Sequence, residues 1–334
     1  MPYILMILIA LFLPFSAANA YTEEGFRSFL KEVAADARSQ GVSDLTISMA
    51  LQSATFKPRT IELDRAQPEK KTLYAEYKPK ILSQDRIDKG RLMYKQHRVQ
   101  LNHFANIYGV EPQYIVALWG IETNYGGFTG GTGIIDALAT MAYEGRRREF
   151  FQKELVEALK ILDEKHITLD EMKGSWAGAM GQNQFMPSSF RAYAVDGDGD
   201  GKRDIWKDLD DVFASTANYL RQSGWQHNQG WGQRVKLPQG IPATMVGKEY
   251  RRPIAYWQKL GVKTLNGHNL SANKRLEAYI VAPDGLSGET YLVYSNYDVI
   301  LKWNRSTYFA TTVGLLADAI AQGDSQEQEE AYNQ

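Results

Sequence analysis

From Glu23 to about Ala50 the apolar residues recur at helical spacing, with Phe26, Phe29, Leu30, Val33 and Ala37 on one stripe. This predicts an amphipathic helix, ended by Gly41, with Ser43 capping the next one. Residues 55–80 mix proline and charge and predict an extended connection. A long helical pattern runs from about Ser83 to Tyr108 and stops at Gly109. Pro112 fits the first turn of a further helix reaching about residue 122. A glycine-rich loop spans Gly126 to Gly133, and helices are predicted at about 134–142, 146–164 and 209–222. After Gly224 the pattern changes. Prolines at 238, 242 and 253 and β-prone stretches at 276–281 and 291–294 predict a small β-rich segment over about 235–298. Thr307 to Ala321 reads as helix, and the polar, acidic tail after Gly323 is expected to be disordered.

The N-terminus differs from all of this. Met1 to Ala20 carries no charged side chain, and Ile4 to Leu13 is an unbroken apolar run of ten. Pro14 breaks the run, and Ala18-Asn19-Ala20 offers the small residues a signal peptidase reads. The expectation is a secretory signal cut after Ala20, with a retained anchor as the alternative. The run falls short of the roughly 20 apolar residues that span a bilayer. The segment departs from the usual signal in having no Lys or Arg at its start. The sequence has 334 residues, no cysteine, and 38 basic against 39 acidic side chains. Zero cysteine excludes disulfides, thiolate metal sites and a Cys nucleophile. The charge balance gives no general footing for nucleic acid.

Chemistry concentrates in two places. In Tyr114-Ile-Val-Ala-Leu-Trp-Gly-Ile-Glu122-Thr-Asn-Tyr125-Gly126, residues 114, 118 and 122 lie four apart on one helical stripe. Glu122 therefore ends an apolar face. Desolvation there raises a carboxyl pKa and suits it to general acid work. The plainer alternative is a frayed helix end with Glu122 in solvent or bonded to backbone amides. The second place is Asp196-x-Asp198-x-Asp200-Gly201-Lys202-x-Asp204. Oxygen ligands at positions 1, 3, 5 and 9, Gly at 6 and a backbone carbonyl from Lys202 at 7 match the start of an EF-hand loop and predict structural Ca2+. Position 12 is Lys207, which supplies no carboxylate; Asp208, one residue on, is the candidate replacement.

Other signals are weaker. The five histidines have no ligand spacing. Arg146-Arg147-Arg148 reads as a solvated face or as a contact for acidic peptides. Tyr125, Trp176, Phe185, Trp225, Trp231 and Trp303 offer flat apolar surface that suits sugar rings, and equally suits a core. The glycine-rich loop follows no strand and matches no dinucleotide fingerprint.

Between Glu122 and the acidic loop lies Ser175-Trp-Ala-Gly-Ala-Met-Gly-Gln-Asn-Gln184-Phe185-Met-Pro-Ser-Ser189. Together with Gly-Ile-Glu-Thr-x-Tyr-Gly upstream, the acidic loop, and Trp303-Asn304-Arg-Ser-Thr-Tyr308, this resembles the lytic murein transglycosylase B family over roughly residues 25–322. The absence of a lipobox Cys is similar to a soluble member. The resemblance implies an α+β, mainly α fold, with a lysozyme-like core carrying the calcium loop, a helical domain and a small β domain. The expected boundaries are 1–20 signal, 21–108 helical, and 109–234 core with the calcium loop at 196–208. Residues 235–298 form the β-rich part, 299–322 complete the core, and 323–334 are tail.

The same resemblance implies cleavage of the β-1,4 bond between N-acetylmuramic acid and N-acetylglucosamine in peptidoglycan. Glu122 is then the acid and base, with Ser175 and Asn304 assisting. Gln184, Phe185, Tyr219, Trp303 and Tyr308 belong to the substrate groove, with Tyr125 beside them. Trp303 stands where relatives often have Tyr, so stacking survives but a phenol hydrogen bond does not.

Most glycosidases use two carboxylates. The motifs here offer one, since Asp136 falls on another helix. A single acid suffices when the substrate's N-acetyl oxygen attacks the anomeric carbon, which leads to a 1,6-anhydro product. A hydrolytic muramidase and a non-catalytic peptidoglycan-binding module are the other readings. The expected setting is a periplasmic monomer on glycan strands, with wall-synthesis proteins as further partners.

Overall fold

The computed structural model describes residues 21–66, 72–270 and 273–332, with side chains described as far as residue 323. The expected signal segment lies outside these residues. The chain opens with α1 (Glu23–Ser39) and α2 (Asp44–Ser53), each capped by a hydroxyl. Thr22 accepts from the Gly25 amide and Ser43 from the Thr46 amide, which relieves donors that a helix N-terminus leaves unpaired.

The connection expected over 55–80 is not wholly extended. It holds α3 (Pro58–Arg65) and α4 (Tyr74–Ile81). Pro58 starts α3 at the first-turn position, where its missing N–H is no loss. The single helix expected over 83–108 is two, α5 (Gln84–Gln96) and α6 (Arg98–Tyr108). The break at His97 lets its ring pack edge-on against Trp119 and Phe213, at 6.0 and 5.7 Å between centroids.

Next come α7 (Pro112–Thr123), β1 (Thr132–Gly133), α8 (Ile134–Glu144), α9 (Arg148–Asp163) and β2 (Lys173–Gly174). They are followed by α10 (Pro187–Tyr193) and α11 (Leu209–Gln222). β1 and β2 form a small antiparallel pair. The last part holds β3 (Gly232–Lys236), β4 (Arg252–Pro253), α12 (Ile254–Lys259), β5 (Lys263–Thr264), β6 (Glu277–Val281) and β7 (Thr290–Val293). Their antiparallel sheet has the order β4-β6-β7-β3-β5. One face of it, with α12, closes a small core of Val235, Ile254, Trp257, Val262, Ile280 and Leu292.

The chain then returns through α13 (Ser295–Trp303) and α14 (Thr307–Tyr332). The tail expected to be disordered after Gly323 is helical to Tyr332. It has no proline, and its Gln, Glu and Ala residues propagate a helix already begun. The larger core runs from α1 to α14. At its centre is α7, buried nearly all round from Tyr114 to Gly120, as expected for a helix apolar on every face. It packs on α14, α5, α6 and α11.

Candidate active site

Glu122 stands in the last turn of this central helix. It keeps partial access to solvent, yet dense protein around the carboxyl pushes its pKa up to about 7, against the opposing pull of a hydrogen bond from Trp303. The negative end of the helix dipole works in the same direction as burial. Trp303 Nε1 donates to Glu122 Oε1 at 2.7 Å. The residue expected only to stack is thus also the direct partner of the acid.

The backbone turns sharply after α7. Asn124 and Tyr125 both have left-handed φ, 51° and 59°. This swings the Tyr125 ring back over Gly120 and beside Gly90, where any Cβ would overlap it. The Tyr125 hydroxyl donates to the Arg86 carbonyl at 2.7 Å, and the side chain is buried. Tyr125 therefore does not present a free face to the groove as expected. It is a wedge that fixes the end of α7.

The segment 174–185 is folded against that end. Gln182 accepts from Trp119 Nε1 at 2.7 Å and donates to the Trp206 carbonyl at 3.1 Å. Thr123 Oγ1 donates to the Gln182 carbonyl at 3.2 Å and accepts from the Gly126 amide at 3.1 Å. Gln184, at φ 52°, donates to the carbonyls of Thr129 and Gly181, which ties down the glycine-rich loop. Gly130 lies so close to the Gly174–Ser175 backbone that no side chain fits there. The Ser175 hydroxyl accepts from the Ala179 amide at 3.0 Å. Its own proton meets no acceptor among the described residues.

Phe185, Tyr219 and Trp303 form an aromatic cluster, with centroids 4.6 to 5.8 Å apart. Burial pushes the Tyr219 phenol up to about 12, so it stays neutral. Asn304 follows Trp303 directly and is exposed; its oxygen accepts from the Ser306 amide at 3.0 Å. Tyr308 is turned aside, its hydroxyl donating to Asp284 at 3.3 Å. Tyr77, whose phenol feels the charge of the acid, lies in a stretch with no motif. Burial raises the Tyr77 phenol, and the Glu122 charge raises it further, while the Arg86 guanidinium opposes both. The Tyr74-x-x-Tyr77 spacing was the available signal, masked by reading 55–80 as extended. Asp136 is held elsewhere, by Thr55 and Lys57. Arg146 and Arg147 grip the buried Asp64, and Arg148 pairs with Glu32.

The acidic loop differs from the expected ligand set. Oxygens of Asp196, Asp198 and Asp211 lie within 4.8 Å of one another. Asp200 and Asp204 are not in that group. Asp200 accepts from the Lys202 amide at 2.7 Å, and Asp204 from the Trp206 and Lys207 amides at 3.0 Å each. Asp208, the candidate twelfth-position ligand, instead caps α11. The residue missed is Asp211, one helical turn on. Burial raises it to about 6, resisted by the Gly197 and Asp204 amides and reinforced by the charges of Asp208 and Asp198. Three converging carboxylates of this kind, all hard oxygen donors, fit a divalent ion such as Ca2+.

The sequence profile described as a transglycosylase SLT domain matches residues 25–318. The chain is 33% identical over 254 residues to membrane-bound lytic murein transglycosylase B of Escherichia coli, covering 73% of this chain and 66% of that protein, just under two thirds of its length. SltB3 from Pseudomonas aeruginosa, solved with NAG-anhNAM-pentapeptide, superimposes with a TM-score of 0.86 at 41% identity, over 89% of this chain and 79% of that one. The Escherichia coli lytic transglycosylase Slt35, solved with calcium, gives 0.75 at 29% identity, over 90% and 93%. The fold is accordingly α+β, mainly α, of the lysozyme-like lytic transglycosylase kind. No described helix is long and apolar enough to cross a membrane. Its sequence and its fold agree: the chain belongs to the transglycosylase SLT domain family.

Proposed function

We propose that this chain cleaves the β-1,4 MurNAc–GlcNAc bond of peptidoglycan without water and leaves 1,6-anhydro-MurNAc ends. The observation that carries this is Glu122, a partly exposed carboxyl in the last turn of a buried helix with its pKa pushed up to about 7 by desolvation. Protonated, it gives its proton to the leaving glycosidic oxygen as the bond to carbon 1 breaks. The N-acetyl oxygen of the muramic acid attacks carbon 1 and replaces the second carboxylate that most glycosidases carry. Glu122, now ionised, takes the proton from the 6-hydroxyl. Oxygen 6 then displaces the acetamido oxygen from carbon 1 and closes the anhydro ring. The free proton of Ser175 and the amide of Asn304 are suited to holding the acetamido group. Trp303, partly exposed, provides the aromatic face of the groove, backed by the buried Phe185 and Tyr219, and Gln184 holds the loop that borders it.

We assign Ca2+ to Asp196, Asp198 and Asp211 with the Lys202 carbonyl; when bound, it neutralises the loop and clamps it to α11. A solved relative in complex with calcium supports the choice of ion. We further propose that the apolar run of residues 4–13, with Ala18-Asn19-Ala20 after it, is an export signal and that the chain works in the periplasm. Digestion of purified sacculi followed by mass spectrometry tests the reaction. Anhydro-muropeptides are expected from the parent, with loss of lysis by at least about a hundredfold in Glu122→Gln. Hydrated reducing ends alone would defeat the transglycosylase reading, and parental lysis by Glu122→Gln would remove Glu122 as the acid.

A further inference from the structure

The loop between β6 and β7 reaches back to α4 with two carboxylates. Asp284 Oδ1 accepts from the Tyr74 amide at 2.6 Å, and Oδ2 from the Ala75 amide at 2.8 Å. Leu73, at the N-cap of α4, offers no side-chain bond, so this helix is capped from 210 positions away. Glu289 accepts from Lys78 at 2.6 and 2.7 Å, from Arg234 at 2.9 Å and from the Tyr291 hydroxyl at 2.5 Å. α4 has eight residues and contains Pro79. A helix so short is marginal by itself, and a proline inside it makes matters worse.

The held helix carries Tyr77, whose phenol feels the Glu122 charge. Its ring lies 5.5 Å from that of Tyr308, which in turn packs 5.1 Å from Tyr74. The Tyr308 hydroxyl donates to the same Asp284. One carboxylate thus joins the start of α4 to the start of α14, and α14 begins four residues after Trp303, the hydrogen-bond partner of Glu122.

We propose that Asp284 and Glu289 are positioning residues. From the β sheet's loop they clasp α4 to the start of α14, fix Tyr77 against Tyr308 in the stretch that follows Trp303, and so set glycan affinity without touching the sugar. This rests on the reading of the groove as a glycan site.

Titration calorimetry with solubilised, uncrosslinked glycan strands, together with hydrogen exchange over residues 74–81, tests the clasp in the full chain. In Asp284→Ala the α4 amides exchange faster, and Kd and KM rise about fivefold, the size expected for a lost cap. kcat stays within about twofold. Asp284→Asn shows a smaller effect, because its side-chain oxygen still caps an amide, and Glu289→Gln follows the same direction. Should Asp284→Ala fail to fold, the two conservative variants decide. Unchanged α4 exchange overturns the clasp. Faster exchange with unchanged glycan affinity overturns the positioning role and leaves a purely structural one. Hydrated product ends from the parent would defeat the reaction alone, and the Kd ratios would still test the clasp.

Discussion

Glu122 is held in an environment that disfavours its charge, and the sign of that effect is fixed by its pKa. The folded value of about 7 lies above the ordinary 4.5 of a glutamate. The native state therefore binds the proton more tightly, and its stability falls as pH rises from about 4.5 to 7. Above pH 7 the full penalty is present, as much as about 3 kcal/mol. A glutamine has the same shape, accepts the same Trp303 bond and carries no charge to desolvate. Glu122→Gln should thus melt a few degrees above the parent at pH 8 and level with it near pH 4, by calorimetry. Equal melting at both pH values would mean that the carboxyl is not desolvated. The stripe 114–118–122 made this residue legible, because periodicity reports which side of a helix is apolar. Its partner Trp303 lies 181 positions away, and no local pattern encodes such a contact. The same holds for Tyr125. Its aromatic character was visible, but a left-handed φ that folds it onto Gly120 depends on the packing around it.

At the scale of elements, the acidic loop was recognisable from spacing, while the convergence of Asp211 on Asp196 and Asp198 was not. An EF-hand pattern assumes a fixed loop of twelve residues. Here α11 begins at Leu209, and its first turn brings Asp211 back over the loop. Asp208 caps that turn, accepting from the Asp210 and Asp211 amides, and is not among the converging carboxylates. A saturating excess of Ca2+ should raise the parent's melting temperature by about 3 °C. Asp211→Asn should lose that increment, whereas Asp204→Asn, whose oxygen still accepts the turn amides, should keep it. Retention in Asp211→Asn would return the site to the ordinary EF-hand order. The helices at 112–123 and 209–222 were legible because their caps and apolar faces agree. α3 and α4 were not. Proline and charge are as compatible with a first helical turn as with a loop, and α4 takes its cap from a distant carboxylate.

The whole molecule depends on how the sheet is joined to the helical core, and Trp231 is the main joint. It immediately precedes β3, is almost fully buried, and its carbonyl accepts from the Tyr294 amide at 2.9 Å. Its indole donates to Asp318 on α14 at 3.0 Å. The ring also packs near Tyr291 at the sheet and Tyr297 on α13, at 5.8 and 6.1 Å. It lies so close to Gly314 that a methyl group there would overlap it. Gly314 is inside a helix, where alanine is intrinsically better by about 1 kcal/mol. Propensity alone therefore predicts that Gly314→Ala stabilises the protein. Packing predicts the opposite, because the added carbon meets a ring fixed from several sides and cannot be accommodated without moving α14. Overpacking of this kind costs about 1–3 kcal/mol. Since Tyr308 lies in the first turn of α14, and α14 also packs on α4, the displacement would reach the clasp as well. Urea unfolding should accordingly show a lower midpoint for Gly314→Ala, accompanied by weaker glycan binding. A midpoint at or above the parent's would mean that the joint has room, and that the sheet is not held to the core through this tryptophan.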